Sequence, residues 1–151
     1  MTVRAKNGKD RWAERRQAAR MMKRIIVNFR GQMDEMLRPH KVTTAEWVML
    51  RAVRDEPGTS GAQLARFCHV TPQSAQVLLK RLEDGGWIVR IKDAVNDRIL
   101  IARLTPRGMK LLETGEKLAR VIEEKVWEGI PDSAIATLNK TLTQCLANLG
   151  A

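Results

Sequence analysis

The chain has 151 residues, the length of one domain and marginal for two independent ones. Lys and Arg number 27 against 17 Asp and Glu, a formal charge of +10, and a surplus this large points to a polyanionic partner, nucleic acid before a membrane surface. No run approaches the ~18 apolar residues of a spanning helix and no apolar stretch follows the basic N-terminus, while two cysteines are too few for a disulfide framework or a zinc site, so the sequence reads as a soluble, cytoplasmic protein without metal or cofactor.

Residues 1–9, with Arg4, Lys6 and Lys9, read as a flexible basic arm able to touch phosphate, and Arg11 adds to its charge. The first helix is expected from near Asp10 to Arg38, before Pro39. Ala18, Met22, Ile25, Phe29, Met33 and Met36 recur at spacings of three and four and form one apolar stripe. A second helix opens at VTTAEW, where Thr43 and Glu46 have the spacing of a capping box. Trp47, Val48, Met49, Leu50, Ala52 and Val53 make it apolar nearly all round, which predicts burial. DEPGTSG ends it. Ser60 and Gln63 then form a second capping box for a short helix through Leu64 and Phe67.

In CHVTPQSAQVLLKRLEDGGW, Thr71-Pro72 reads as N-cap and first helical position and Gly85-Gly86 as the stop, giving a helix over residues 72–84. Ala75, Leu78, Leu79 and Leu82 are its expected core stripe. Gln73, Ser74, Gln76, Val77, Lys80 and Arg81 are left outward. WIVRI and ILIARL are apolar runs separated by the turn-rich KDAVND, which predicts an antiparallel hairpin. LTPRG repeats the Thr-Pro helix start. The helix that follows carries Leu111, Leu118, Ile122 and Val126, GIPD breaks it near Gly129, and a last helix carries Ile135, Leu138, Leu142, Cys145 and Leu149.

A short helix, a tight turn and a second helix whose outer face runs from amides to bases is a helix-turn-helix, the second helix entering the major groove. A glutamine amide donates and accepts at once, matching an adenine edge, whereas Lys and Arg suit guanine or phosphate. A hairpin directly after that helix is a wing lying over the minor groove, with Arg98 placed for insertion. Asp93 and Asp97 support the wing, one of them holding the Arg98 guanidinium or capping the turn. The plainer alternatives are a solvated face for residues 73–81 and a surface salt bridge to Asp93 or Asp97 for Arg98.

RLEDGGWIVRIKDAVNDRILIARLTPRG resembles the corresponding stretch of the MarR family of dimeric winged-helix transcriptional regulators. Asp93 matches that family's first wing acid, Arg98 its minor-groove arginine, and Leu104, Thr105 and Gly108 the exit into the long helix. Asn96 and Asp97 depart from its usual acid and base. The resemblance implies a mainly α fold with a small β-hairpin wing, residues 43–105 forming the DNA-binding lobe and residues 10–38 and 106–151 a helical dimerisation region. It also implies a homodimer on palindromic double-stranded DNA, acting as a repressor. Charge is consistent with that division: Lys and Arg outnumber Asp and Glu by 12 to 4 in residues 1–41 and by 11 to 7 in residues 42–110, against 4 to 6 in residues 111–151.

Relatives of that kind release DNA on binding a small aromatic acid or on oxidation of a cysteine. A phenolic or benzoic acid would draw on Arg24, Asn28, His40 and Trp47, with Met33, Met36 and Met49 as an adaptable wall; the alternative is ordinary core and dimer packing. Cys68, beside His69 at the helix-helix turn, is the redox candidate, and a small buried turn residue is its alternative. Cys145 reads as core. No nucleophile-base pair, metal cluster or Gly-rich phosphate loop appears, and His40 and His69 lie in loops, so the sequence does not read as an enzyme. A winged-helix architectural protein that binds DNA without sequence preference is the rival from another class.

Overall fold

The computed structural model describes residues 8–96 and 98–150, with side chains from Arg11 onward. Arg4 and Lys6 of the expected arm, the Lys9 side chain and Asp97 lie outside the described residues. Helix α1 spans Gly8–Leu37, followed by a 3-10 turn over Arg38–His40, α2 (Thr44–Asp55), α3 (Gly61–Phe67), α4 (Pro72–Asp84), strands β1 (Ile88–Lys92) and β2 (Leu100–Leu104), α5 (Pro106–Trp127) and α6 (Asp132–Asn148). The fold is mainly helical with one two-stranded antiparallel hairpin. No described helix is long and apolar enough to cross a membrane.

The helix boundaries follow from local chemistry. Pro39 cannot extend α1, and Lys41 takes a left-handed φ of 59° that turns the chain into α2. Thr43 Oγ1 accepts from the Glu46 amide while Glu46 Oε2 accepts from the Thr43 amide, so the expected capping box starts α2. Ser60 and Gln63 do the same for α3. Thr71 caps α4 by accepting from the Ser74 amide, with Pro72 in the first turn. Thr105 Oγ1 accepts from the Gly108 amide and donates to the Gly86 and Trp87 carbonyls, which ties the start of α5 to the start of β1.

Two compact units divide the chain, residues 1–119 and residues 120–151. In the first, α2 is the centre: Trp47, Met49, Leu50, Ala52 and Val53 are buried, with Leu64 of α3, Ala75, Leu79 and Leu82 of α4, Ile88 of β1 and Ile101 of β2. Leu78, expected in the α4 stripe, is only half-buried. Trp47 Nε1 donates to the Leu112 carbonyl of α5 at 3.3 Å, and its indole lies against Gly115. Ile88 pairs with Leu104 and Lys92 with Leu100 at the ends of the hairpin, and Ser60 adds a bridge to Ile101.

The α1 stripe divides. Met33 and Leu37 are buried, whereas Met21, Met22, Ile25, Ile26 and Val27 are exposed. In the second unit α6 has no buried residue, and Leu138, Leu146 and Leu149 are exposed. Cys145, expected in a core, is exposed too; a stripe at helical spacing shows that a face is apolar without saying that the same chain covers it.

Candidate nucleic-acid interface

The turn between α3 and α4 is closed by backbone bonds from the His69 amide to Arg66 and from the Val70 amide to Ala65, with His69 at φ 52°. That conformation re-aims the chain within three residues, so Pro72 starts α4 packed across α3. Burial of Ala75, Leu79 and Leu82 then fixes which side of α4 faces out. Gln73, Ser74, Gln76, Val77, Lys80 and Arg81 are all exposed, as that periodicity requires.

They are not equivalent. Ser74 belongs to the cap, its Oγ accepting from Thr71 Oγ1. Lys80 pairs with Asp84 at 3.2 Å, an exposed i,i+4 pair that a phosphate can displace at little cost. Arg81 stands at the edge of the face, 3.8 Å from Glu46, whose side chain is buried at the head of α2. Gln76 accepts at Oε1 from Arg90 Nη1 at 3.3 Å. Gln73 and Val77 complete the stripe.

Asp93 makes the turn of the hairpin, its Oδ1 accepting from the Val95 and Asn96 amides at 2.9 Å each. Asn96 Oδ1 accepts from the Arg98 amide at 3.1 Å. Of the two roles open to Asp93 in the sequence, the geometry assigns the turn. No described carboxylate pairs with the Arg98 guanidinium; the other candidate, Asp97, lies outside the described residues. Arg98 is exposed and lines a cleft of about 300 Å³ with Ser60, Gly61, Gln76 and Arg90, so hairpin and α4 converge on one side of the lobe.

The ligand candidates do not converge in the same way. His40 lines a cavity of about 390 Å³ with Lys41, Trp87, Arg107 and Lys110, which Arg24, Asn28 and Trp47 do not line. Arg24 and Asn28 are exposed on α1, the Asn28 amide donating to the Arg24 carbonyl. Trp47 is core: it is 4% exposed, hydrogen-bonded to α5 and covered by Arg51 at 5.4 Å from its ring centroid. Met33 and Met49 are fully buried.

Cys68 is half-buried, its Sγ 3.9 Å from Met49 Sδ. Burial pushes its thiol above the ordinary value, with Arg51 opposing more weakly. The thiolate is the reactive form, so the environment works against redox sensing. Among the described residues no group of three or more metal-ligand side chains converges.

Three contributors escaped the sequence reading. Arg90 joins hairpin to α4, its Nε and Nη2 donating to Glu83 Oε2 at 2.8 and 2.7 Å while Nη1 reaches Gln76. Gly61 leaves room for the Gln76 amide, since a Cβ there would lie 2.6 Å from Nε2. Glu46 was legible as a cap but not as the buried carboxylate facing Arg81. Strand alternation alone could have placed Arg90 on the face opposite Val89; its partners are a matter of register between elements.

The sequence and fold have known relatives. The MarR family model matches residues 40–99. The HTH-type transcriptional repressor Rv2887 of Mycobacterium tuberculosis is 35% identical over 106 residues, 70% of this chain and 76% of that protein. The crystal structure of Rv2887, a Mycobacterium tuberculosis MarR family protein, in complex with salicylic acid aligns at 30% identity with a TM-score of 0.66, covering 83% of this chain and 93% of the other. A mutant MarR from E. coli complexed with operator DNA aligns with a TM-score of 0.76 at 21% identity over 85% and 92% of the two chains, a likeness of fold.

Proposed function

Because this chain belongs to the MarR family of transcriptional regulators, we propose that it is a sequence-specific repressor that binds a palindromic double-stranded DNA operator as a homodimer and is released by a small aromatic acid. The observation that carries the DNA reading is the juxtaposition on one side of the lobe of α4's exposed face, from Gln73 to Lys80, with a hairpin presenting an Arg98 that no described carboxylate neutralises. In this reading α4 enters the major groove and Arg98 the adjacent minor groove. Gln73, Gln76 and Val77 meet base edges, and Lys80 and Arg81 meet guanine or phosphate.

The dimer reading rests on the exposed apolar residues of α1 and, separately, on those of α6: a patch of this kind on a chain this charged marks an interaction surface. A second copy covering them gives two lobes related by a twofold axis, and hence a palindrome. A repressor role is supported by the Rv2887 relative, described as a repressor.

For the signal, an aromatic acid is supported by the salicylic acid bound to Rv2887. Of the residues proposed for it in this chain, His40 has the best setting, in a cavity with Lys41, Arg107 and Lys110 for a carboxylate and Trp87 for a ring. Cysteine oxidation is the weaker alternative, given the raised Cys68 thiol.

Selection from a random duplex pool at near-physiological salt, followed by sequencing, tests the core of the proposal. An enriched palindrome of about 16–20 base pairs, its half-sites one helical turn apart, is expected. Retention without enrichment would instead mean backbone recognition by an architectural protein.

A further inference from the structure

Gln76 is the candidate on the α4 face whose side chain is bonded to the hairpin. At its oxygen end Arg90 Nη1 donates to Oε1 at 3.3 Å. Arg90 is itself fixed, since Nε and Nη2 both donate to Glu83 Oε2 and its side chain is only 19% exposed. At its nitrogen end Nε2 lies over Gly61, which has no Cβ to displace it. Turning the amide over would lose the bond to Arg90, because it would aim N–H groups at a guanidinium that has only donors.

We infer that Arg90 is a positioning residue that holds the Gln76 amide by one lone pair of Oε1 and leaves its Nε2 hydrogens for an acceptor, biasing Gln76 toward a G·C pair in place of the A·T pair that its residue type suggests. A free glutamine reads adenine by donating to N7 while accepting from the N6 amino group. With one of the two Oε1 lone pairs engaged by Arg90, the accepting half of that pattern is weakened. The two Nε2 hydrogens have no partner among the described residues and suit the O6 and N7 acceptors of guanine. Glu83 holds the guanidinium in place, so the chain from Glu83 through Arg90 to Gln76 carries the orientation from the hairpin to α4. The inference rests on the operator reading above.

The test compares selected duplexes for the full-length chain and three variants. Gln76→Ala identifies the base pair that Gln76 reads, as the position whose preference disappears. At that position the unmodified chain is expected to favour G·C over A·T by about tenfold or more. In Arg90→Lys, which keeps the charge but cannot bridge Glu83 and Gln76, the preference is expected to fall to within about threefold or to turn to A·T. Gly61→Ala, which pushes Nε2 aside without touching Arg90, is expected to weaken the same position alone, and it keeps the test decisive if Arg90→Lys does not fold. A·T at that position in the unmodified chain, G·C unchanged in both positioning variants, or no position lost in Gln76→Ala would each overturn the inference while leaving the operator reading intact. No enrichment by the unmodified chain would overturn both.

Discussion

The lobe from α2 to β2 and the helix α1 that leads into it both carry apolar stripes and end in opposite states. In the lobe, Trp47, Leu50, Leu79, Leu82 and Ile88 are buried against one another's elements, and every helix start has a side-chain cap. Among the described side chains of α1, burial is confined to Met33 and Leu37, and the turns before them expose Met21, Met22, Ile25, Ile26 and Val27. Apolar area left in water forgoes roughly 25 cal/mol per Å². The lobe buries its apolar residues within one chain, whereas α1 leaves an apolar face in contact with water.

Substitutions can break that contrast, beginning with the lobe's centre. Leu50→Ala, at a site with no solvent exposure, should cost about 2–5 kcal/mol in urea unfolding; a loss under about 1 kcal/mol would mean that the core is not where the burial places it. Gly108→Ala should cost about 1–3 kcal/mol, because a Cβ there would sit 2.0 Å from the Trp87 carbonyl oxygen, a backbone atom that cannot step aside. Removal of the α4 cap in Thr71→Ala should cost about 1 kcal/mol by the same measurement.

Substitution on α1 sharpens the comparison from the other side. Ile25→Ser should shift the unfolding of single chains by no more than about 0.5 kcal/mol at low protein concentration. At higher concentration the sedimentation mass should nevertheless drop from two chains to one. A mass that does not respond would mean that α1 is not the face a second copy covers. The smallest expected effect is at Cys68. Its folded-state value is raised, so its contribution is fully present below the ordinary thiol value and lost as pH rises through the folded one. The stability gap between the chain and Cys68→Ala should accordingly narrow at alkaline pH; a widening gap would reverse the assigned shift.

Most of the lobe was legible in the sequence because its signals are local. Thr43 with Glu46, Ser60 with Gln63 and Thr71 with Pro72 each involve residues within one helical turn, and each cap formed where the spacing put it. Gly108 also matched a motif, although its reason, the approach of the Trp87 carbonyl, needed coordinates. Trp47 was harder. On a helix apolar all round, periodicity does not separate a residue that lines a cavity from one that anchors a core, and the bond from its indole to Leu112 spans 65 positions. Arg90 was missed for the same kind of reason, since its partner Gln76 is 14 residues away on another element. Phe67 shows the limit of residue type: an aromatic at the end of α3, it is 55% exposed.

The turn held by Asp93 bears on the entropy of the proposed DNA binding as well as on shape. A hairpin tip that must be ordered by its target loses roughly 1–2 kcal/mol of backbone entropy per residue when it docks. Here the Val95 and Asn96 amides are already bonded to a side chain of the same loop, and Asn96 holds the amide of Arg98. At those three amides the ordering is completed when the chain folds, so docking of the tip on DNA, as proposed, should carry a reduced entropic penalty in calorimetry. Asp93 and Asn96 thus fix the backbone beside Arg98 without help from any partner.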